Sequence, residues 1–126
     1  MPELSERSLV GQNGEEFAAR WLINQGYKVL ARNYRCRGGE IDIVAKKGEV
    51  ISFVEVKRRR RNYFALSEVI TKSKQQKITY TAQRFISEQA ISLSAYRFDV
   101  ALVEGIDGEE QITYIEQAFR DERFSL

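Results

Sequence analysis

Two β-branched runs, Glu40-Ile41-Asp42-Ile43-Val44-Ala45 and Val50-Ile51-Ser52-Phe53-Val54-Glu55-Val56, are separated by only Lys46-Lys47-Gly48-Glu49. A connection this short, with a glycine in it, leaves no length for a crossover, so the runs are read as an antiparallel hairpin. A tight turn then sets Ala45 opposite Val50, Asp42 opposite Phe53 and Glu40 opposite Glu55. Alternation places Glu40, Asp42, Glu55 and Lys57 on one face, with Ile41, Ile43, Val54 and Val56 on the other. Three acids and a lysine interrupt strands that otherwise read as buried, where unpaired charge is costly and tends to mark a site.

The flanking segments supply the rest of a layered domain. From Ser8 to Gln25 the apolar residues Val10, Phe17, Ala18, Trp21 and Leu22 recur at helical spacing, and Gly26 follows where a helix end favours glycine. On that helix Glu16 stands beside Arg20 on the polar side, whereas Glu15 lies at the border of the apolar face, where a carboxylate needs a partner or an ion. Gly11 and Gly14 fall on the packed side and let the backbone approach a sheet. Tyr27 to Asn33 reads as a first strand and Tyr34 to Gly39 as a basic loop. Ser67 to Gln89 reads as a second helix, with Lys74, Gln75 and Lys77 on its polar face. Arg97 to Val103 is a further strand, followed by Ile112 to Ile115 and a tail with Ala118 and Phe119. Strands alternating with helices predict one α/β domain over residues 1–126, with a central mixed sheet flanked by helices.

Composition narrows the chemistry. The chain contains no histidine and a single cysteine, Cys36, which excludes histidine-based triads, a cysteine/histidine zinc site and an internal disulfide. Any metal must be held mainly by oxygen. No stretch approaches the roughly 18 consecutive apolar residues of a membrane span, and Met1 to Arg7 lacks the order of a signal peptide, so a cytoplasmic location is expected. The net charge of +2 conceals an asymmetry: residues 1–98 carry 18 basic and 10 acidic side chains, residues 99–126 carry 2 and 8. Lys57 opens a run continued by Arg58, Arg59, Arg60 and Arg61, with Arg35 and Arg37 upstream and Lys72, Lys74 and Lys77 downstream. Such clustering suits contact with a polyanion, and equally a solvated surface.

Phosphodiester hydrolysis requires an activated water and neutralisation of charge developing on the phosphate, and a magnesium ion supplies both. Magnesium prefers one or two carboxylates plus water and phosphate oxygens, so Asp42 and Glu55 on adjacent strands are suitable donors, with the Val56 carbonyl and Glu40 as additions. Lys57, two residues after Glu55, projects to the same side, where it orients the water or stabilises the pentacovalent phosphorus.

Asp42 followed after a hairpin by Glu55-Val56-Lys57 resembles the PD-(D/E)xK signature of the restriction-endonuclease-like superfamily. A wider pattern, Gly11-Gln12-Asn13-Gly14-Glu15, Gly26-Tyr27, Asn33-Tyr34-Arg35, Gly39-Glu40-Ile41-Asp42, Phe53 to Lys57, Lys74-Gln75, Arg97-Phe98-Asp99-Val100 and Ala118-Phe119, resembles the YraN family of small bacterial proteins over nearly the whole chain. That family is similar in motif order to archaeal Holliday-junction resolvases. The resemblance implies a three-layer restriction-endonuclease-like domain with Glu15, Asp42, Glu55 and Lys57 as its catalytic set and Gln75 as an auxiliary. Two positions depart from the family pattern: Ala65 stands where glycine is usual and Gln117 where asparagine is frequent.

Three readings follow. The first is an endonuclease dependent on Mg2+, or on Mn2+ as a substitute, acting on branched or otherwise structured DNA. In it Asp42, Glu55 and Glu40 hold metal, while Arg35, Arg37, Arg58, Arg59, Arg60, Arg61, Lys74 and Gln75 hold the nucleic acid. Tyr34, Tyr63 and Phe64 are candidates to stack on unpaired bases. A homodimer would provide the two sites that symmetric cutting needs. The second is a non-catalytic module that binds nucleic acid or a DNA-processing partner. The third is a structural network in which Lys57 and Arg58 neutralise Glu40 and Glu55.

Overall fold

The computed structural model describes residues 6–59, 70–91, 95–105 and 108–120, with side chains from Gly14 onward and without that of Arg59. The elements run α1 (Glu6–Asn24), β1 (Lys28–Cys36), β2 (Gly39–Lys47), β3 (Val50–Arg59), α2 (Lys72–Glu88), β4 (Ala95–Glu104) and β5 (Gln111–Phe119). The strands lie in one sheet in sequence order, β1-β2-β3-β4-β5, every neighbouring pair antiparallel except β3 and β4. Parallel pairing requires a crossover, and α2 lies in it.

Two apolar layers separate the helices from the sheet. Ala18, Ala19 and Leu22 of α1 pack on Ile43, Ala45, Val54, Ala101 and Val103. On the opposite face Ile78, Ala82 and Phe85 of α2 pack on Val44, Ile51, Phe53, Val100 and Leu102. Phe53 is fully buried between Phe85 and Phe98, with ring centroids 6.1 and 5.9 Å away. A side chain so enclosed is worth about 1.5–3 kcal/mol relative to exposure. A mixed sheet with a helix on each face is the three-layer α/β arrangement expected of a restriction-endonuclease-like domain.

Both helices end in the same hydrogen-bond motif. At the end of α1, Tyr27 N–H donates to Leu22 and Gly26 N–H to Ile23, with Gly26 at φ +93°. At the end of α2, Ile91 N–H donates to Ile86 and Ala90 N–H to Ser87, with Ala90 at φ +51°. These are Schellman caps, and the second carries alanine where glycine is favoured, so composition alone does not announce it. The second helix starts later than its apolar pattern suggests. Thr71 is the N-cap, its hydroxyl accepting the Lys74 N–H at 3.2 Å; Ser67 to Val69 lie outside the described residues.

Two expected local features are corrected. Tyr34 to Cys36 continue β1, and the turn to β2 is confined to Arg37 and Gly38, since Cys36 pairs with Gly39. The central hairpin is tighter than expected as well, with Lys47 opposite Val50 and Ile43 opposite Val54 across a two-residue Gly48-Glu49 turn. This moves the register by two residues and brings Asp42 level with Glu55, just beyond the last pair of the ladder.

Candidate active site

The β2–β3 ladder ends at the pair Ile43↔Val54. Just beyond it, the Asp42 carboxylate accepts the backbone N–H of Val56 at 2.8 Å, so a side chain takes the place of a strand partner in the notch between β2 and β3. Simple alternation fails at this point. Ile43 packs with the α1 layer, whereas Ile41, two residues away, packs with the α2 layer. Across the ladder Arg32 bonds Glu16 of α1 while Tyr34 packs with the α2 layer. Between them Asn33 sits at φ +52°, a left-handed conformation that asparagine tolerates. The kink shared by Asn33 and Asp42 turns the outer ends of β1 and β2, and with them corrects the expectation that Ile41 and Ile43 share a face.

Asp42 is the electrostatic centre of the acids. Its carboxyl is pushed up to about 7, first by burial and then by the negative charge of Glu55; the Val56 N–H opposes the rise, and Glu15 and Glu40 add to it. Glu15 of α1, Glu40 and Asp42 of β2 and Glu55 of β3 are thus within electrostatic reach of one group. Glu40 is exposed and pairs with Arg35 at 3.0 Å across the β1–β2 hairpin. Glu55 is 14% exposed and accepts from the Lys74 ammonium of α2 at 2.8 Å. Lys57 is half-buried two residues beyond Glu55 on β3. Among the described residues, no group of three or more acidic or cysteine side chains stands ready-made around a metal position. Asp42 and Glu55 nevertheless fit the oxygen-rich, partly hydrated shell of magnesium, which asks for one or two carboxylates.

The basic residues separate by face. Arg58 is on the α1 side: its stem lies where a Cβ on Gly14 would come within 3.1 Å, and its guanidinium donates to the Gly105 carbonyl at 2.9 Å. Arg58 is therefore a bolt between α1, β3 and the end of β4, and Glu40 and Glu55 form ion pairs with Arg35 and Lys74, where the structural-network reading had set Lys57 and Arg58. Arg37 stands in the β1–β2 turn. Gln75 donates to the Ile70 carbonyl at 3.4 Å, a bond inside the approach to α2. The Arg59 side chain, Arg60 and Arg61 lie outside the described residues, as do Tyr63, Phe64 and Ala65. Tyr34 is engaged in packing: its ring meets Phe85 edge-on at 5.1 Å and its hydroxyl donates to Glu88 at 2.6 Å.

Sequence reasoning missed two partnerships. One is Lys74 with Glu55, because nothing in a linear pattern says which strand a helix N-terminus will face. The other is a buried polar cluster around Asp99, which accepts from Arg97 at 2.8 to 3.1 Å, from the Tyr114 hydroxyl at 2.5 Å and from the Gln117 N–H at 3.0 Å. Arg97 also donates to Tyr27 and Ser52. The i, i+2 spacing of Arg97 and Asp99 on one strand was the available signal.

Residues 14–103 match the model of the uncharacterised protein family UPF0102. A UPF0102 protein of Caldicellulosiruptor saccharolyticus is 46% identical over 79% of this chain and 85% of its own. Those of Trichlorobacter lovleyi and a Sulfurihydrogenibium species are 45% and 44% identical, over 87% and 90% of this chain and 89% and 96% of theirs. With relatives so similar over nearly their full lengths, and with the sheet, the notch and the clustered acids in place, the chain belongs to family UPF0102, the family to which the YraN resemblance pointed.

Proposed function

We propose that this protein is a divalent-cation-dependent nuclease acting on DNA that carries a junction, flap or single-stranded end. The observation that carries this reading is the position of Asp42: it is partly buried in a notch between two strands, with Glu55, Glu15 and Glu40 all raising its proton affinity. An acid whose ionisation is made costly by burial and by three neighbouring carboxylates is poorly explained as surface charge and well explained as part of a cation site. Asp42 and Glu55 would hold the ion, with Glu40 and Glu15 as supporting charges and the Val56 carbonyl as a further oxygen. A bound Mg2+ would supply an activated water and charge neutralisation at the phosphate. Lys57, on the strand that bears Glu55, would hold a proton-bearing nitrogen against the water or a phosphate oxygen. Arg35, Arg37 and the arginines after Arg58 would contact the backbone, giving salt-sensitive binding with little base preference.

Cleavage of labelled duplex, single-stranded, flapped and four-way-junction DNA in Mg2+ and in Mn2+ tests this, with Glu55→Gln and Lys57→Ala as controls. Metal-dependent cutting lost in both variants is the expected result. Salt-sensitive binding without cutting in all three proteins would make this a nucleic-acid-binding module on a nuclease fold, a reading favoured by the engagement of Glu55 with Lys74. A sedimentation mass of twice 14.6 kDa on DNA would support action as a homodimer.

A further inference from the structure

Lys74 is an unusual cation for its position. It lies in the first turn of α2 together with Lys72, a turn that contains no acid. The N-terminus of a helix carries partial positive charge, so lysines there are placed against the dipole unless an anion answers them. Glu55 is that anion. The ammonium is 2.8 Å from Glu55, and the two partners differ in access: the Glu55 side chain is 14% exposed and that of Lys74 is 43% exposed. The carboxylate is largely buried on the central strand β3, whereas the lysine enters from solvent on a flexible stem. Its backbone is anchored independently, because its N–H is held by the Thr71 hydroxyl and not by the ion pair. Only the side chain need move for the pair to open.

Glu55 is also one of the two carboxylates assigned above to the divalent cation, and the inference rests on that reading. A cation arriving at Glu55 competes directly with the Lys74 ammonium for the same oxygens. Displaced, Lys74 is left unneutralised in the first turn of a helix, a position suited to a phosphate oxygen. We propose that Lys74 is a two-position cation, neutralising Glu55 in the metal-free protein and transferring to a nucleic-acid phosphate when a divalent cation takes Glu55. Two opposing effects follow from this one residue. Without nucleic acid Lys74 weakens cation binding, and with it Lys74 makes cation and nucleic acid bind cooperatively.

The test uses Lys74→Gln, which keeps length and removes charge, and Lys74→Arg, which keeps charge. Cation binding is read as the Mn2+ concentration giving half-maximal thermal stabilisation, and nucleic-acid binding as the Kd for a labelled single strand with phosphorothioate linkages, with and without Mn2+. In Lys74→Gln the Mn2+ midpoint should fall by about fivefold, and the gain in strand affinity on adding Mn2+ should shrink by a similar factor. Lys74→Arg should stay close to wild type in both. An unchanged or raised Mn2+ midpoint in Lys74→Gln, or an undiminished gain in strand affinity, would overturn the proposal. Absence of any Mn2+ stabilisation in the wild type would instead remove the metal site itself, a distinguishable failure.

Discussion

The Asp42 carboxylate receives the Val56 N–H at 2.8 Å, the bond that closes the end of the β2–β3 ladder. Structure and electrostatics therefore meet in one residue, which serves both as a cap for a strand edge and as the most perturbed of the clustered acids. That double role has a measurable signature in pH.

In the folded protein Asp42 titrates near 7, against about 4 in an unfolded chain. Between those values the native state keeps a proton that the unfolded state has lost, so the stability contributed by this group is fully present below pH 4 and falls as pH rises to about 7. Asn at position 42 still offers an oxygen to Val56 but does not ionise. Denaturant unfolding of wild type and Asp42→Asn at stepped pH should show the variant gaining on the wild type between pH 4 and 7 and then levelling off. A saturating divalent cation should reverse the trend for the wild type, since it binds the ionised form.

Removing the acid from the other buried cluster should be far more damaging. Asp99 is 1% exposed and answers the Arg97 guanidinium, the Tyr114 hydroxyl and the Gln117 N–H at once. Asp99→Ala leaves a largely buried arginine, 19% exposed, with only the Glu116 carboxylate at 3.7 Å as counter-charge, and a loss of about 3–5 kcal/mol is expected. Equilibrium denaturation reads this directly; a loss under about 1 kcal/mol would mean that Arg97 reorients to solvent.

At Gly39 the β1–β2 turn meets α2 so closely that a Cβ would lie 2.5 Å from the Thr81 hydroxyl and 3.0 Å from the Lys77 carbonyl. The second contact is with helix backbone, which cannot swing aside. Gly39→Ala should cost about 1–3 kcal/mol, within the range of overpacked sites, and should lower the melting temperature.

Two residues occupy left-handed backbone that their side chains disfavour, Ala90 at φ +51° and Gln117 at φ +52°. Ala90→Gly completes the Schellman cap of α2 with its preferred residue, and Gln117→Asn installs a side chain that tolerates this conformation. Each change should raise stability by up to about 1 kcal/mol, and the two should add because the sites are independent. Thermal melts of the single and double variants check both claims.

Much of this protein was legible in local pattern. The period of apolar residues announced α1, the hairpin and β4, because burial of one face imposes period 3.6 on a helix and period 2 on a strand. The opposed positions of Glu15 and Glu16 on α1 followed from helical arithmetic, and Glu16 does bond Arg20, with Arg32 added. Asp42 and Glu55, expected on a shared face, do come within electrostatic reach of each other, although the register differs from the expected one by two residues. What tertiary structure decided is wherever two elements distant in sequence meet. The kink at Asn33 and Asp42 breaks alternation because the strands must part to make the notch. Arg58 leaves a basic run to pass beneath Gly14, where an added Cβ would meet its stem at a tight 3.1 Å. Lys74 finds Glu55, and Arg97 with Asp99 gathers Tyr27, Ser52 and Tyr114, by contacts whose energy depends on three-dimensional proximity and burial, neither of which has a period in the chain.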